Sequence, residues 1–88
     1  MGSFVKFGKE EIRVEIQFGL LSLNLAGRGI TDIGEIEGGE EMSNLEFLSL
    51  SFNKISEIKG LENLTNLKFL ILKNNRITEI KNLEFLKA

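Results

Sequence analysis

The sequence predicts an α/β solenoid, a stack of short units whose strands align as one parallel sheet. Three observations predict it. Residues 45–66 and 67–88 align without a gap at a spacing of 22 residues, with identical pairs that include Leu48/Leu70, Leu50/Leu72, Asn53/Asn75, Ile55/Ile77 and Ile58/Ile80. A fixed period in this range means one small unit stacked on copies of itself, since a lone unit cannot bury its apolar face. Within each unit, Leu48-x-Leu50 and Leu70-x-Leu72 alternate with period two, the pattern of a short strand with both leucines turned inward. After Asn53 the apolar spacing becomes three, at Ile55, Ile58, Leu61, Leu64 and Leu67. That spacing suits 3₁₀ turns better than a regular α-helix.

The elements follow in chain order. Phe4-Val5-Lys6-Phe7 reads as a short strand, with Gly8-Lys9-Glu10-Glu11 as its turn. Ile12, Val14, Ile16 and Phe18 alternate with Arg13, Glu15 and Gln17, which predicts a second, half-buried strand. A helix over residues 9–18 is the weaker alternative, because β-branched residues fill the inward positions. These first residues, 1–19, form a β cap over the open end of the stack. The stack itself covers residues 20–88, as units 20–44, 45–66 and 67–88.

The first unit is degraded. Leu20, Leu23, Leu25, Ile30 and Ile33 match Leu45, Leu48, Leu50, Ile55 and Ile58, after which three extra residues make the unit 25 long. Arg28 stands in the asparagine position, so a ladder of buried amides begins at Asn53 and continues at Asn75. There an amide can satisfy backbone groups that the turn leaves without partners, a structural role. Gly39 replaces a core leucine, and the glycines around it, with Glu40 and Glu41, make a pliable acidic loop. The third unit stops at Ala88 with no polar cap. Ile77, Ile80, Leu83 and Leu86 would then be covered on one side only, an uncapped end suited to self-association as a homo-oligomer or to further units of a longer array.

The pattern L-x-x-L-x-L-x-x-N-x-I, continued as Ser/Thr-Glu-Ile-Lys, resembles the leucine-rich repeats of the 22-residue class, the protein phosphatase one regulatory subunit type. The resemblance covers residues 20–88. It implies a short right-handed solenoid with the parallel β-sheet on the concave face and 3₁₀ turns on the convex face. It also implies that the protein acts as a protein-recognition surface.

Chemistry by subtraction points the same way. The chain has 88 residues, one small domain, and no histidine, cysteine, tyrosine or tryptophan. That removes the imidazole base, the thiolate and the usual metal ligands, so neither an enzyme nor a cofactor is expected. Calcium at Asp32, Glu35 and Glu37 matches no loop spacing. Net charge is −2 with no basic stripe, so no nucleic-acid partner is expected. No apolar run spans a bilayer and the start lacks an apolar leader, so no membrane partner and a cytoplasmic location are expected. Gly2 lacks the hydroxyl residue that myristoylation wants at Lys6, and Asn63-Leu64-Thr65 is a chance glycosylation match.

What remains is a surface. With the strand leucines inward, Phe47, Ser49 and Ser51 point outward, as do Phe69, Ile71 and Lys73, with Ser22, Asn24 and Ala26 in the first unit. Phe47, Phe69 and Ile71 make an apolar patch rimmed by serines and Lys73, the anatomy of a protein-binding site. Phe52 is expected to pack at the edge. The rival to recognition is an architectural unit that assembles with its own copies.

Overall fold

The computed structural model of the protein describes residues 4–37 and 42–81. Among these residues seven strands and one 3₁₀ helix follow one another: β1 (Phe4–Phe7), β2 (Glu10–Arg13), β3 (Glu15–Gln17), β4 (Leu20–Asn24), η1 (Ile33–Glu35), β5 (Ile36–Glu37), β6 (Phe47–Ser49) and β7 (Phe69–Ile71). They form two sheets. One is three-stranded in the order β2-β1-β5; the other is four-stranded in the order β3-β4-β6-β7.

The second sheet carries the repeats. β4, β6 and β7 run parallel, and Leu23, Leu48 and Leu70 stand side by side. Each strand partner lies 25 residues on, then 22, so the spacing of the sequence repeat is also the register of the sheet. The bonds flanking each strand repeat too. The Leu25 N–H donates to the Ser49 carbonyl at 2.8 Å, and Leu50 to Ile71 at 2.8 Å; Gly27 donates to Ser51 at 3.0 Å, and Phe52 to Lys73 at 2.9 Å.

Leu23, Leu25, Leu48 and Leu50 are fully enclosed, and so are Ile30, Ile55, Ile58 and Leu61. Leu64 and Leu67 complete the three-residue series of buried positions. The backbone between those positions is not continuous 3₁₀ helix. It is a chain of separate turns, such as Leu64 N–H to Leu61 carbonyl at 3.0 Å and Leu67 to Leu64 at 3.2 Å. Among the described residues the one 3₁₀ helix is η1, capped by the Asp32 carboxylate, which accepts from the Gly34 N–H at 2.8 Å. Burial fades along the stack: Leu70, Leu72 and Ile77 are half-buried and Ile80 is 77% exposed.

The N-terminal strands differ from the expectation of one long alternating strand. The chain leaves the first sheet at Arg13 and enters the second at Glu15, with buried Val14 as the pivot. Ile12 and Val14 are therefore inside, but Ile16 is 75% and Phe18 99% exposed. β3 is an edge strand paired antiparallel to β4, so Ile16 overhangs the core, and Phe18 sits in the turn between them. β1 and β2 join through Gly8-Lys9, a two-residue turn with Gly8 at φ +62°. The extension of the first unit also has a place: it lets Ile36 and Glu37 pair with Phe7 and Lys6 as β5. The acidic stretch with Gly39, Glu40 and Glu41, the core positions Leu83 and Leu86, the Gly2 start and the end at Ala88 lie outside the described residues.

Candidate functional site

Strand alternation decides which side chains face away from the leucine core. The register sets Ser22, Phe47 and Phe69 in one row across the strands, and Asn24, Ser49 and Ile71 in the next. Phe47 and Phe69 meet with ring centroids 6.0 Å apart at an interplanar angle of 42°, a tilted aromatic pair. Phe47 is half-buried, Phe69 is 51% exposed, and Ile71 is exposed beside them. The result is a contiguous apolar patch at the β6–β7 side of the face. Lys73 is exposed just beyond β7.

Ser51 departs from the expectation. It is buried, 9% exposed, because neighbouring segments hold it on both sides. Its carbonyl accepts from Gly27, the adjacent Phe52 N–H goes to Lys73, and its hydroxyl lies 3.1 Å from that of Ser49. Phe52 also departs. Its ring is 59% exposed and its backbone is left-handed at φ +58°. Gly27 (φ +70°) and Asn74 (φ +59°) occupy the same position in the other units, so the turn demands this conformation and the phenylalanine accepts it.

The reading of the sequence missed two residues of this face, Glu15 and Gln17. In β3 they pair with Ser22 and Leu20, which extends the outer row to Glu15–Ser22–Phe47–Phe69. The signal was available: Phe18-Gly19 is a two-residue link between alternating segments, and Gly19 supplies one of its two positive φ angles. Between β3 and the aromatic patch the face dips into a shallow hollow of about 350 Å³, with Glu15, Gln17, Ser22, Phe47, Ser49 and Ile71 around it.

Side-chain joints lock the strands beneath the face. The Asn53 amide oxygen accepts from the N–H groups of Arg28 (2.9 Å) and Ile30 (3.0 Å), while its NH₂ donates to the carbonyls of Leu25 (3.0 Å), Leu50 (2.9 Å) and Ser51 (3.2 Å). Asn75 does the same one unit on. It accepts from Ile55 (3.0 Å) and donates to Leu50 (2.9 Å), Leu72 (3.1 Å) and Lys73 (3.4 Å). Arg28, in the corresponding position of the first unit, donates to the carbonyls of Ala26 (3.1 Å) and Asn24 (3.3 Å). It reaches Glu10 of β2 with a two-pronged pair at 3.1 Å. Each joint therefore ties its own strand end to the preceding segment.

Glu46 makes a further joint at the other end of the strands. Its carboxylate accepts from the Leu21 N–H at 3.2 Å and pairs with Lys68 at 3.1 Å. The Leu21 hydrogen bond, then Lys68, hold its pKa below the ordinary carboxylate value. Of the acids around η1, Asp32 caps the helix, Glu35 accepts from the Thr31 hydroxyl at 3.3 Å, and Glu37 lies in β5.

A family model described as Leucine Rich repeats (2 copies) matches residues 43–87, just over half of the chain. No curated protein and no solved structure matches.

Proposed function

The chain belongs to the leucine-rich-repeat family, and from that premise we propose that it recognises a protein partner through the outer face of β3-β4-β6-β7. Leucine-rich repeats are in general non-enzymatic protein-interaction modules. In this reading the chain is a short right-handed solenoid of the 22-residue, phosphatase one regulatory subunit type. Its units are 20–44, 45–66 and 67–88, the concave face is the recognition face, and residues 1–19 cap one end. Phe47, Phe69 and Ile71 are the apolar anchors; Ser49 and Lys73 form the rim, and Ser51 supports Ser49 from below. Asn53 and Asn75 hold the strands in place and touch no partner.

The observation that carries the proposal is the tilted Phe47–Phe69 pair beside exposed Ile71 on an open sheet face. Scattered apolar residues on a surface need no explanation, but an adjacent cluster with a polar rim does. The test compares the wild type with the Phe69→Ala, Ile71→Ser double variant in affinity capture and in thermal melting. Phe69 is half exposed, so its truncation gives up contact worth about 2 kcal/mol at most and leaves a folded protein. Recognition is supported if a captured protein is lost while the melt remains cooperative. A collapsed melt with unchanged capture would assign the patch to packing.

A second reading, assembly of copies through the β7 side of the sheet, is favoured by one feature. Leu72, Asn74, Asn75, Ile77 and Ile80 surround a shallow hollow of about 300 Å³, with Ile80 largely exposed. Sedimentation at tens of micromolar that finds monomer alone counts against it.

A further inference from the structure

Resting on the recognition reading above, we propose that the hollow between β3 and the aromatic patch receives one long basic side chain of the partner, lysine or arginine, with Glu15 as its counter-ion. The walls of the hollow differ in chemistry. One side is formed by Glu15 and Gln17, the other by Phe47 and Ile71, with Ser22, Asn24 and Ser49 between them. A side chain with an aliphatic stem and a cationic head matches both walls at once. The stem lies along Phe47 and Ile71, where the cation can also use the ring face. The head reaches Glu15, where a guanidinium would bond two-pronged to the carboxylate.

Glu15 is free for this role. Its backbone pairs with Ser22, but its carboxylate makes no hydrogen bond or ion pair among the described residues, whereas that of Glu46 is already committed to Lys68 and the Leu21 N–H. The other chemistries fit worse. An acidic partner residue would meet Glu15 as a like charge, and a purely apolar one would strip water from the carboxylate without replacing it. Lys73 lies across the face from Glu15. Three strand spacings and four residues along the strand separate the two, roughly 20 Å, so it does not neutralise the hollow.

The test is a titration of the ¹⁵N-labelled protein with three blocked pentapeptides, Gly-Ser-X-Ser-Gly, in which X is arginine, citrulline or leucine. Citrulline keeps the shape of arginine and lacks its charge. The arginine peptide should shift the amide signals of Gln17, Ser22, Asn24 and Ser49 and bind at least five-fold more tightly than the citrulline peptide. Glu15→Gln, with an otherwise unchanged spectrum, should erase that difference. Equal binding of the arginine and citrulline peptides, or a preference that survives Glu15→Gln, overturns the proposal and leaves recognition through the face intact. Absence of shifts with all three peptides at tens of millimolar also overturns it. The broader reading is judged separately, by the capture lost on changing Phe69 and Ile71.

Discussion

Replacing Phe18 with asparagine should stabilise this protein, although it deletes an aromatic ring. Phe18 and Gly19 are the two residues linking β3 to β4, since Gln17 pairs with Leu20. Their φ angles are +55° and +76°, so both central positions are left-handed, the requirement of a type I′ turn. A residue with a Cβ there suffers a clash with the following carbonyl, about 1–2 kcal/mol, most of which asparagine offsets because its short polar side chain bonds locally to the backbone. The opposing loss is nil, because the ring is 99% exposed and buries no area. A net gain of about 1 kcal/mol follows. At about 2.1 cal/mol/K per residue, an unfolding entropy near 0.18 kcal/mol/K for 88 residues converts that gain into a rise in Tm of about 5 °C. Calorimetry and urea titration of the wild type, Phe18→Asn and Phe18→Ala would measure it. Alanine keeps the same Cβ clash, lacks the amide that offsets it, and should gain little. A Tm for Phe18→Asn at or below the wild type, or an equal gain with alanine, would refute the reasoning from backbone strain.

Asn53→Ala should lower stability by about 3–4 kcal/mol, because it orphans donors and acceptors in two buried segments, and Asn75→Ala by about half as much; urea midpoints measure both. Leu48→Ala, at a site with no exposure, should cost about 3 kcal/mol by the same assay. Glu46 has a folded pKa below its unfolded one, so its contribution is whole above the ordinary carboxylate range and is lost as pH falls through the folded value. The melting advantage of wild type over Glu46→Gln should accordingly be present at pH 7 and shrink as pH falls below the ordinary carboxylate range. Arg28→Met should loosen β2 from the turn that follows β4, seen as faster amide exchange at Glu11 and Ile12 with the exchange of Leu48 little changed.

The parts of the fold legible in the sequence are those where one residue type answers one geometric demand. Leu48-x-Leu50 has to be a strand with its leucines inward, and the 22-residue spacing fixes which residue stands beside which, so the Phe47–Phe69 pair could be named in advance. The return path was half legible. Ile55, Ile58, Leu61 and Leu64 are buried as their spacing implies, but spacing three is satisfied as well by separate turns as by 3₁₀ helix. The alternation from Ile12 to Phe18 misled, because period two says that a segment is extended and not which sheet it joins. Val14 passes the chain from one sheet to the other, and no residue there has a side chain that only that pivot would require. Glu15 and Gln17 were missed for the same reason: their place on the candidate face depends on β3 pairing with β4.

Arg28 shows how the same joint can be built from different chemistry. Where a full unit precedes, as at Asn53, the previous segment offers backbone N–H and carbonyl groups, and an amide carrying both a donor and an acceptor matches them. In front of the first unit stands β2, and what it offers at this height is a carboxylate, Glu10. An amide there could satisfy it only as a donor, whereas a guanidinium spans the gap, bonds two-pronged and still reaches the Ala26 carbonyl with a remaining N–H. The departure from the repeat at Arg28 is thus a response to a change of neighbour. It is also why Arg28→Asn should fail to restore a better joint: the amide would lack the preceding unit's backbone to bind. A stability gain in that variant would mean that the hairpin of β1 and β2 presents its backbone as a repeat does.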